Sequence, residues 1–500
     1  MRSRFDAWFE SLPVERRRAL GRAYADACER AGVYVVKPDG SRVPIPPILT
    51  PVAIAPERMA EVSADAARIL SALARLTAAL MEQPDRAPLR RRLFGAFAPL
   101  EAEGLERTWR TAAQLATARV DFLVDDRGRH RALEVNATIP AMQGYSDCVA
   151  ESFLRAVAKE RGLAGARADA LVDANGRNTD ELLDSLIAHH QRLGGAGGAL
   201  TIAIVAREGD AQRGELEHYA LRWSARGHRV LLATPAQITI DGERGGARVS
   251  GETPDLIYRH IFARRLDAAS TFARMCLDPE RFHILNPIAS HLEVKGMLGL
   301  LSAAAAPDGG EEAARIGLTV DERAAIARAV PWTRVLATGA TRGPDGEAIA
   351  ELAAWVRASP ERLVLKRSWD YGGRSVFLGA DFDAGAESRF RALFPGGPAT
   401  WPALVDRALA DGDAWVVQEL VTSPRATFLR VDRDDPGGEP RAHELYADLS
   451  AYTNLGVAPS PSGGAVRGSE NRIVNILGGG GLAPLLRAPV LEALLSDATS

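Results

Sequence analysis

Arg119-Val120-Asp121-Phe122-Leu123-Val124, the turn Asp125-Asp126-Arg127-Gly128 and the returning Leu133-Glu134-Val135-Asn136 form the stretch on which the reading of this chain turns. Polar and apolar residues alternate on either side of an Asp/Gly turn, which predicts two antiparallel strands joined by a short connection. Residues two apart in a strand share a face, so Glu134 and Asn136 leave together, as do Arg119 and Asp121. Asp121, Glu134 and Asn136 then converge as two carboxylates and an amide carbonyl. Hard divalent cations take oxygen ligands and keep positions for water or phosphate, so these three are the candidate metal ligands, for magnesium first and manganese as an alternative. Arg119, on the face of Asp121, is the cation expected beside a transferring phosphoryl group. A surface hairpin with ordinary charges is the competing reading.

A second set lies far downstream. Leu363-Val364-Leu365-Lys366 predicts a strand whose lysine emerges at the sheet edge, where it would hold a phosphate oxygen. Gly372 and Gly373 follow in a short loop, and glycines there let backbone N–H groups cover phosphates. The stretch 368–375 is expected to close over the reacting groups. Trp415-Val416-Val417-Gln418-Glu419-Leu420-Val421 predicts a strand leading into a hinge, in which backbone groups up to Val421 would read an adenine edge and Gln418 or Glu419 would add a side-chain contact. Lys295 sits where an Asn286-Pro287 turn opens a helix and is a further phosphate ligand or a helix-surface lysine. Arg259 ends a central strand and is a carboxylate clamp or a structural ion-pair partner.

The bulk numbers bound the function classes. A chain of 500 residues with net charge -3 carries no overall basic field, which argues against nucleic acid as a partner. Its three cysteines, Cys28, Cys148 and Cys276, are widely spaced, which fits a reducing compartment better than a disulfide framework. No run approaches about 20 uncharged apolar residues, and the charged N-terminus does not read as a signal peptide, so a cytoplasmic protein without membrane contact is expected.

Along the chain, residues 1–32 and 57–84 read as helical around a proline-rich linker, and the Gly194-Gly195-Ala196-Gly197-Gly198 run marks a boundary. Beyond it, strands at 200–205, 229–233, 255–259 and 283–285 alternate with helices and predict a parallel sheet. No Gly-x-Gly-x-x-Gly follows the first strand, so dinucleotide binding loses its support. Residues 302–310 read as an Ala/Gly-rich loop.

With those residues in hand, the chain resembles the ATP-grasp superfamily of carboxylate–amine ligases. The Arg119-x-Asp121 and Glu134-x-Asn136 pairs look like the metal end of the D-alanine–D-alanine ligases, and Lys295, Lys366 and residues 418–421 look like the lysines and hinge of the nucleotide site. The metal motif comes first here rather than last, which resembles the circularly permuted group to which glutathionylspermidine synthetases are similar; glycine runs at 463–467 and 478–481 belong to that likeness. Arg425 stands where an acidic ribose contact is usual. The resemblance implies an α/β (mixed α+β) chain: a circularly permuted ATP-grasp fold with a helical region at 1–106, a metal-binding part at 107–193, an open parallel-sheet domain at 199–300 and a nucleotide-clamp part at 301–500. It implies ATP and magnesium as cofactors, and a small carboxylate with an amine or short peptide as substrates of an ADP-forming ligase working through an acyl phosphate. A non-catalytic ATP-binding module, a phosphotransferase without ligation, and a homodimer stay open.

Overall fold

The computed structural model of the chain describes residues 4–242, 245–370, 372–432, 438–457, 464–476 and 478–496. Tyr371 and Gly463, which belong to stretches given above, lie outside them, as do residues 1–3. The chain is mixed α/β, and its described residues include no helix long and apolar enough to cross a membrane.

The expected hairpin forms, with Thr117–Val124 pairing antiparallel to His130–Asn136. Its other neighbour comes from the far end of the chain: Arg441–Asn454 pairs with Thr117–Val124 and continues through Gly464–Ser469 to Gly481–Ala483, in a six-stranded sheet that also takes in Ala426–Arg430. The alternation along each strand sorts side chains between two environments. Val120, Phe122, Ala132, Val135, Leu449, Ala451 and Val466 join one core with the helix Pro56–Glu82. That helix presents Met59, Val62, Ala66, Ile69, Leu70, Leu73, Leu76 and Leu80, a three- and four-residue stride that makes one continuous apolar face. Arg119, Asp121, Glu134, Asn136, Asp448 and Arg467 leave the opposite side of the sheet.

A second sheet of four strands runs in the order Thr333–Val335, Trp415–Glu419, Leu363–Arg367 and Val376–Leu378, all antiparallel. Leu363, Leu365, Phe377, Trp415 and Val417 pack against the helices Leu352–Ala358, Ala384–Leu393 and Trp401–Ala410. Val364, Lys366 and Gln418 face the other way, toward the polar face of the six-stranded sheet.

The central sheet is parallel, in the order Ile284–Leu285, Leu256–His260, Thr201–Ala206 and Arg229–Ala233. The strand Thr201–Ala206 is apolar from Ile202 onward because both faces are covered: Ala203 and Val205 enter one core, Ile202 and Ile204 another.

One sequence expectation changes. The stretch read as a loop from 302 is helical to Ala305, as the end of Lys295–Ala305, and a second helix spans Gly310–Ile316. Its alanines are strong helix formers, and the helix is fixed by packing on Thr333–Val335: a Cβ on Gly299 would lie 3.2 Å from the Val335 nitrogen.

Candidate functional site

The polar faces of the two antiparallel sheets, with loops from the central sheet, enclose a cavity of about 590 Å³. Arg119, Asp121, Glu134, Asn136, Lys366, Gly372, Gly373, Gln418, Glu419 and Val421 all line it. Lys295 reaches it indirectly: its Nζ donates to the Asp370 carbonyl at 2.7 Å and stands 3.5 Å from Glu134 Oε2.

Asp121 is the most heavily engaged of the three candidate metal ligands. Arg119 donates to both of its oxygens, from Nε at 2.7 Å and from Nη2 at 3.0 Å. Ser450 Oγ donates at 2.8 Å, Arg467 Nη2 at 3.0 Å and Asn136 Nδ2 at 3.2 Å. Burial works against its charge, but Arg119 and then Arg467 outweigh burial and hold the carboxyl well below its ordinary range. An ionised carboxylate has about four lone-pair sites, and five donors already meet them. Asp121 therefore fits the role of a counter-ion that fixes two arginines and one amide, and does not fit that of an open metal ligand. Glu134 is different. Its side chain is 33% exposed, and Lys295 is its ion-pair neighbour among the described residues. Because Asn136 spends its NH₂ on Asp121, its amide oxygen is left for another partner.

The sequence reading missed Asp448, and gave Arg467, which closes the 463–467 stretch, no role. Asp448 accepts from Arg467 Nε at 3.1 and 3.0 Å and also from its Nη2. Burial pushes the Asp448 carboxyl up despite Arg467, while Asp448 and Asp121 together keep Arg467 charged against its own burial. Arg467 Nη1 has no hydrogen-bond partner among the described residues, so a cation with an uncommitted N–H group faces the cavity. Arg119 is more constrained, because its Nη1 donates to the Ala141 carbonyl at 2.7 Å. The motif around Arg467 was visible in the sequence; its pairing with Asp121, across strands distant in the chain, was not.

On the opposite wall, Lys366 Nζ donates to Gln418 Oε1 at 2.7 Å. Burial lowers the Lys366 ammonium from 10.5 to about 8, with Glu134 opposing and Lys295 adding to the shift. Gln418 is 2% exposed and donates from Nε2 to Thr333 Oγ1 at 2.9 Å. Both ends of its amide are thus used inside the protein. Of the two side chains expected to contact a base, Gln418 is corrected to positioning Lys366, while Glu419 remains, with Leu420 and Val421, in the cavity-lining hinge. Gly372 and Gly373 have φ of +70° and +72°, the left-handed region that glycine enters without a steric penalty. Asn475 Nδ2 donates to the Gly372 carbonyl at 3.0 Å and ties the loop to the C-terminal glycine-rich segment.

Arg259 does not reach the cavity. It is 0% exposed, with Nε on the Asn286 carbonyl at 2.9 Å, Nη2 on the Pro287 carbonyl at 2.8 Å and Nη1 on the Ile261 carbonyl. Backbone carbonyls engage all three guanidinium nitrogens away from the cavity, so the carboxylate-clamp reading is corrected to a structural one. Loops of the central sheet do supply charge to the cavity, through Arg207, Asp210 and Arg265. Arg425 lies over the Tyr446 ring, 4.9 Å from its centroid.

No family model and no curated protein matches the chain. Among solved structures it is similar to a glutathione synthetase-like effector from Globodera pallida in its apo form, with a TM-score of 0.57 and 13% identity over 94% of this chain and 96% of that one. That likeness is one of fold.

Proposed function

We propose that the protein is an ATP-dependent carboxylate–amine ligase of circularly permuted ATP-grasp type, releasing ADP and phosphate. One observation carries this reading: Glu134 and Lys366, on opposing sheets from distant parts of the chain, line a single cavity, with Lys295 3.5 Å from Glu134. The fold likeness to a glutathione synthetase-like protein supports it.

Adenine would lie against the hinge at residues 419–421, with the phosphates running toward Lys366 and Lys295 under the backbone of Gly372 and Gly373. Phosphoryl transfer asks chiefly for alignment and neutralisation of charge on the equatorial oxygens. Lys366 and Lys295 hold those oxygens as point charges, and Arg467 Nη1 offers a further donor beside them. Glu134 and the Asn136 amide oxygen are the groups that would hold magnesium, which supplies additional neutralisation when bound. The substrate carboxylate attacks the γ-phosphorus, the bond to the ADP oxygen breaks, and an acyl phosphate results. An amine then adds to the acyl carbon, phosphate leaves, and the nitrogen loses a proton to give the amide. Arg207, Asp210 and Arg265 put charges of both signs at the end of the cavity that the central sheet supplies, which suits polar, charged acid and amine partners.

The test is ADP release from ATP with a panel of amino acids, polyamines and short peptides, with and without hydroxylamine. Hydroxamate formation supports the ligase. ADP without hydroxamate points to phosphotransfer without ligation, and no ADP under any condition points to a nucleotide-binding module without turnover.

A further inference from the structure

Behind the hinge strand lies a second cleft, of about 770 Å³, which shares Glu419 with the cavity already described. It is formed where the end of Lys295–Ala305 and the helix Val320–Ala329 meet the strand Thr333–Val335. One wall is apolar, built from Ala305, Ala306, Pro307, Ile326 and Val330.

Arg334 stands at the other wall, 9% exposed. Its Nε donates to Thr341 Oγ1 at 3.2 Å and its Nη1 to the Thr333 carbonyl at 2.9 Å and Ser302 Oγ at 3.3 Å. Nη2 has no hydrogen-bond partner, and no carboxylate is in salt-bridge range of the guanidinium, among the described residues. The acids around the cleft are matched elsewhere: Asp308 with Arg342 at 2.7 Å, Asp345 with Arg362 at 2.5 Å, and Glu419 with Arg131 at 3.7 Å. A buried cation normally comes with an anion; here Asp308, already paired with Arg342, acts on Arg334 only from beyond salt-bridge range, and the Trp332 ring lies 5.1 Å from its guanidinium. Ser302 Oγ accepts from Arg334 and from the Thr333 N–H at 3.1 Å, which leaves its O–H to donate to something in the cleft.

We propose that this cleft binds a small carboxylate with an apolar body, its anionic end on Arg334 and Ser302 and its body against the alanine, proline and isoleucine wall. Burial lowers the Arg334 guanidinium to about 10, which an arriving carboxylate would reverse. Occupancy would also be felt in the first cavity. Thr333, adjacent to Arg334, accepts from Gln418, and Gln418 accepts from Lys366. This coupling rests on the nucleotide reading of the first cavity; the binding itself does not.

Calorimetric titration of the full-length protein with 4-phenylbutyrate, and with the neutral 4-phenylbutyramide, tests the site. The carboxylate should bind at least about tenfold more tightly than the amide, and Arg334→Gln should weaken it by about tenfold. Ala327→Trp fills the cleft from an exposed helix position and should abolish binding. It carries the test if the Arg334 variant does not fold. No binding of the carboxylate, equal binding of the amide, or undiminished binding by either folded variant overturns the site. Saturating 4-phenylbutyrate should change ADP affinity by about fivefold in the natural protein and leave it unchanged in Ala327→Trp. Carboxylate binding with unaltered ADP affinity overturns the coupling alone. Failure of ADP to bind at all instead sinks the function proposed above, and the carboxylate titration still decides the site.

Discussion

Lys295 Nζ stands 3.5 Å from Glu134 Oε2, so the helix that follows the central sheet and the hairpin that precedes it present opposite charges to each other at one edge of the cavity. Among the described residues Lys295 is the ion-pair partner of the Glu134 carboxylate, which is one-third exposed, and that availability separates it from its neighbour Asp121.

Replacing Glu134 with Gln keeps the size of the side chain and removes its charge. ADP formation should fall by about 100-fold to 1000-fold, in line with losing one group that stabilises transferring phosphate, while the thermal midpoint stays close to that of the natural protein. Near-normal turnover would remove Glu134 from the chemistry.

Asp121→Asn should behave in the opposite way. It leaves Arg119 and Arg467 buried beside a neutral amide, at a cost of about 3–5 kcal/mol of unfolding free energy measured in denaturant. The pH dependence follows from the sign of the shift. A carboxyl held below its ordinary pKa stabilises the fold fully above about 3.9, and the contribution fades as pH falls from there toward the folded-state value. The natural protein should therefore lose stability on acidification below about pH 4 more steeply than Asp121→Asn. Parallel acid limbs for the two proteins would contradict this.

Lys366, lowered to about 8 by burial, is charged below that pH and neutral above it. ATP and ADP affinity should weaken as pH rises through about 8 in the free protein. Binding near pH 8.5 should take up protons, since phosphate restores the ammonium, and calorimetry in buffers of differing ionisation enthalpy reads this directly. Lys366→Met should abolish both effects.

Gln418→Leu deletes the carbonyl oxygen that accepts from Lys366. As a positioning residue, it should raise the KM for ATP more than it lowers kcat, and the midpoint of the pH profile should move further below 8, because a hydrogen bond to the charged form is gone. An unchanged pH midpoint would reduce Gln418 to a packing role.

At Gly373, φ is +72° and an added Cβ would meet Ile473 Cγ2 at 2.9 Å. Gly373→Ala should cost about 1–2 kcal/mol locally and weaken nucleotide binding without changing the remote core. Hydrogen exchange confined to residues 368–378 and 471–476 checks where the strain goes.

The hairpin, the Lys366 strand and the parallel sheet were legible because each is local: alternation, a turn signal or an apolar run fixes it within a few residues. What escaped depends on distant pairing. Asp448 lies on a long strand with no distinctive motif, and only its register opposite Leu123, beside Ser450 opposite Asp121, makes it part of the site. Arg259 reads from sequence like any arginine at a strand end; the carbonyls of Ile261, Asn286 and Pro287 that capture it are set by the path of the chain beyond the strand. Gln418 was found at the right place with the wrong partner, because Thr333 reaches it from a neighbouring strand.

The pairing of Thr117–Val124 with Arg441–Asn454 has a bearing on synthesis. On the ribosome the hairpin emerges long before its partner is translated, so it spends that interval as an unprotected edge able to recruit another chain. Chaperone dependence during expression, and aggregation of nascent chains arrested ahead of residue 441, should follow from this delay.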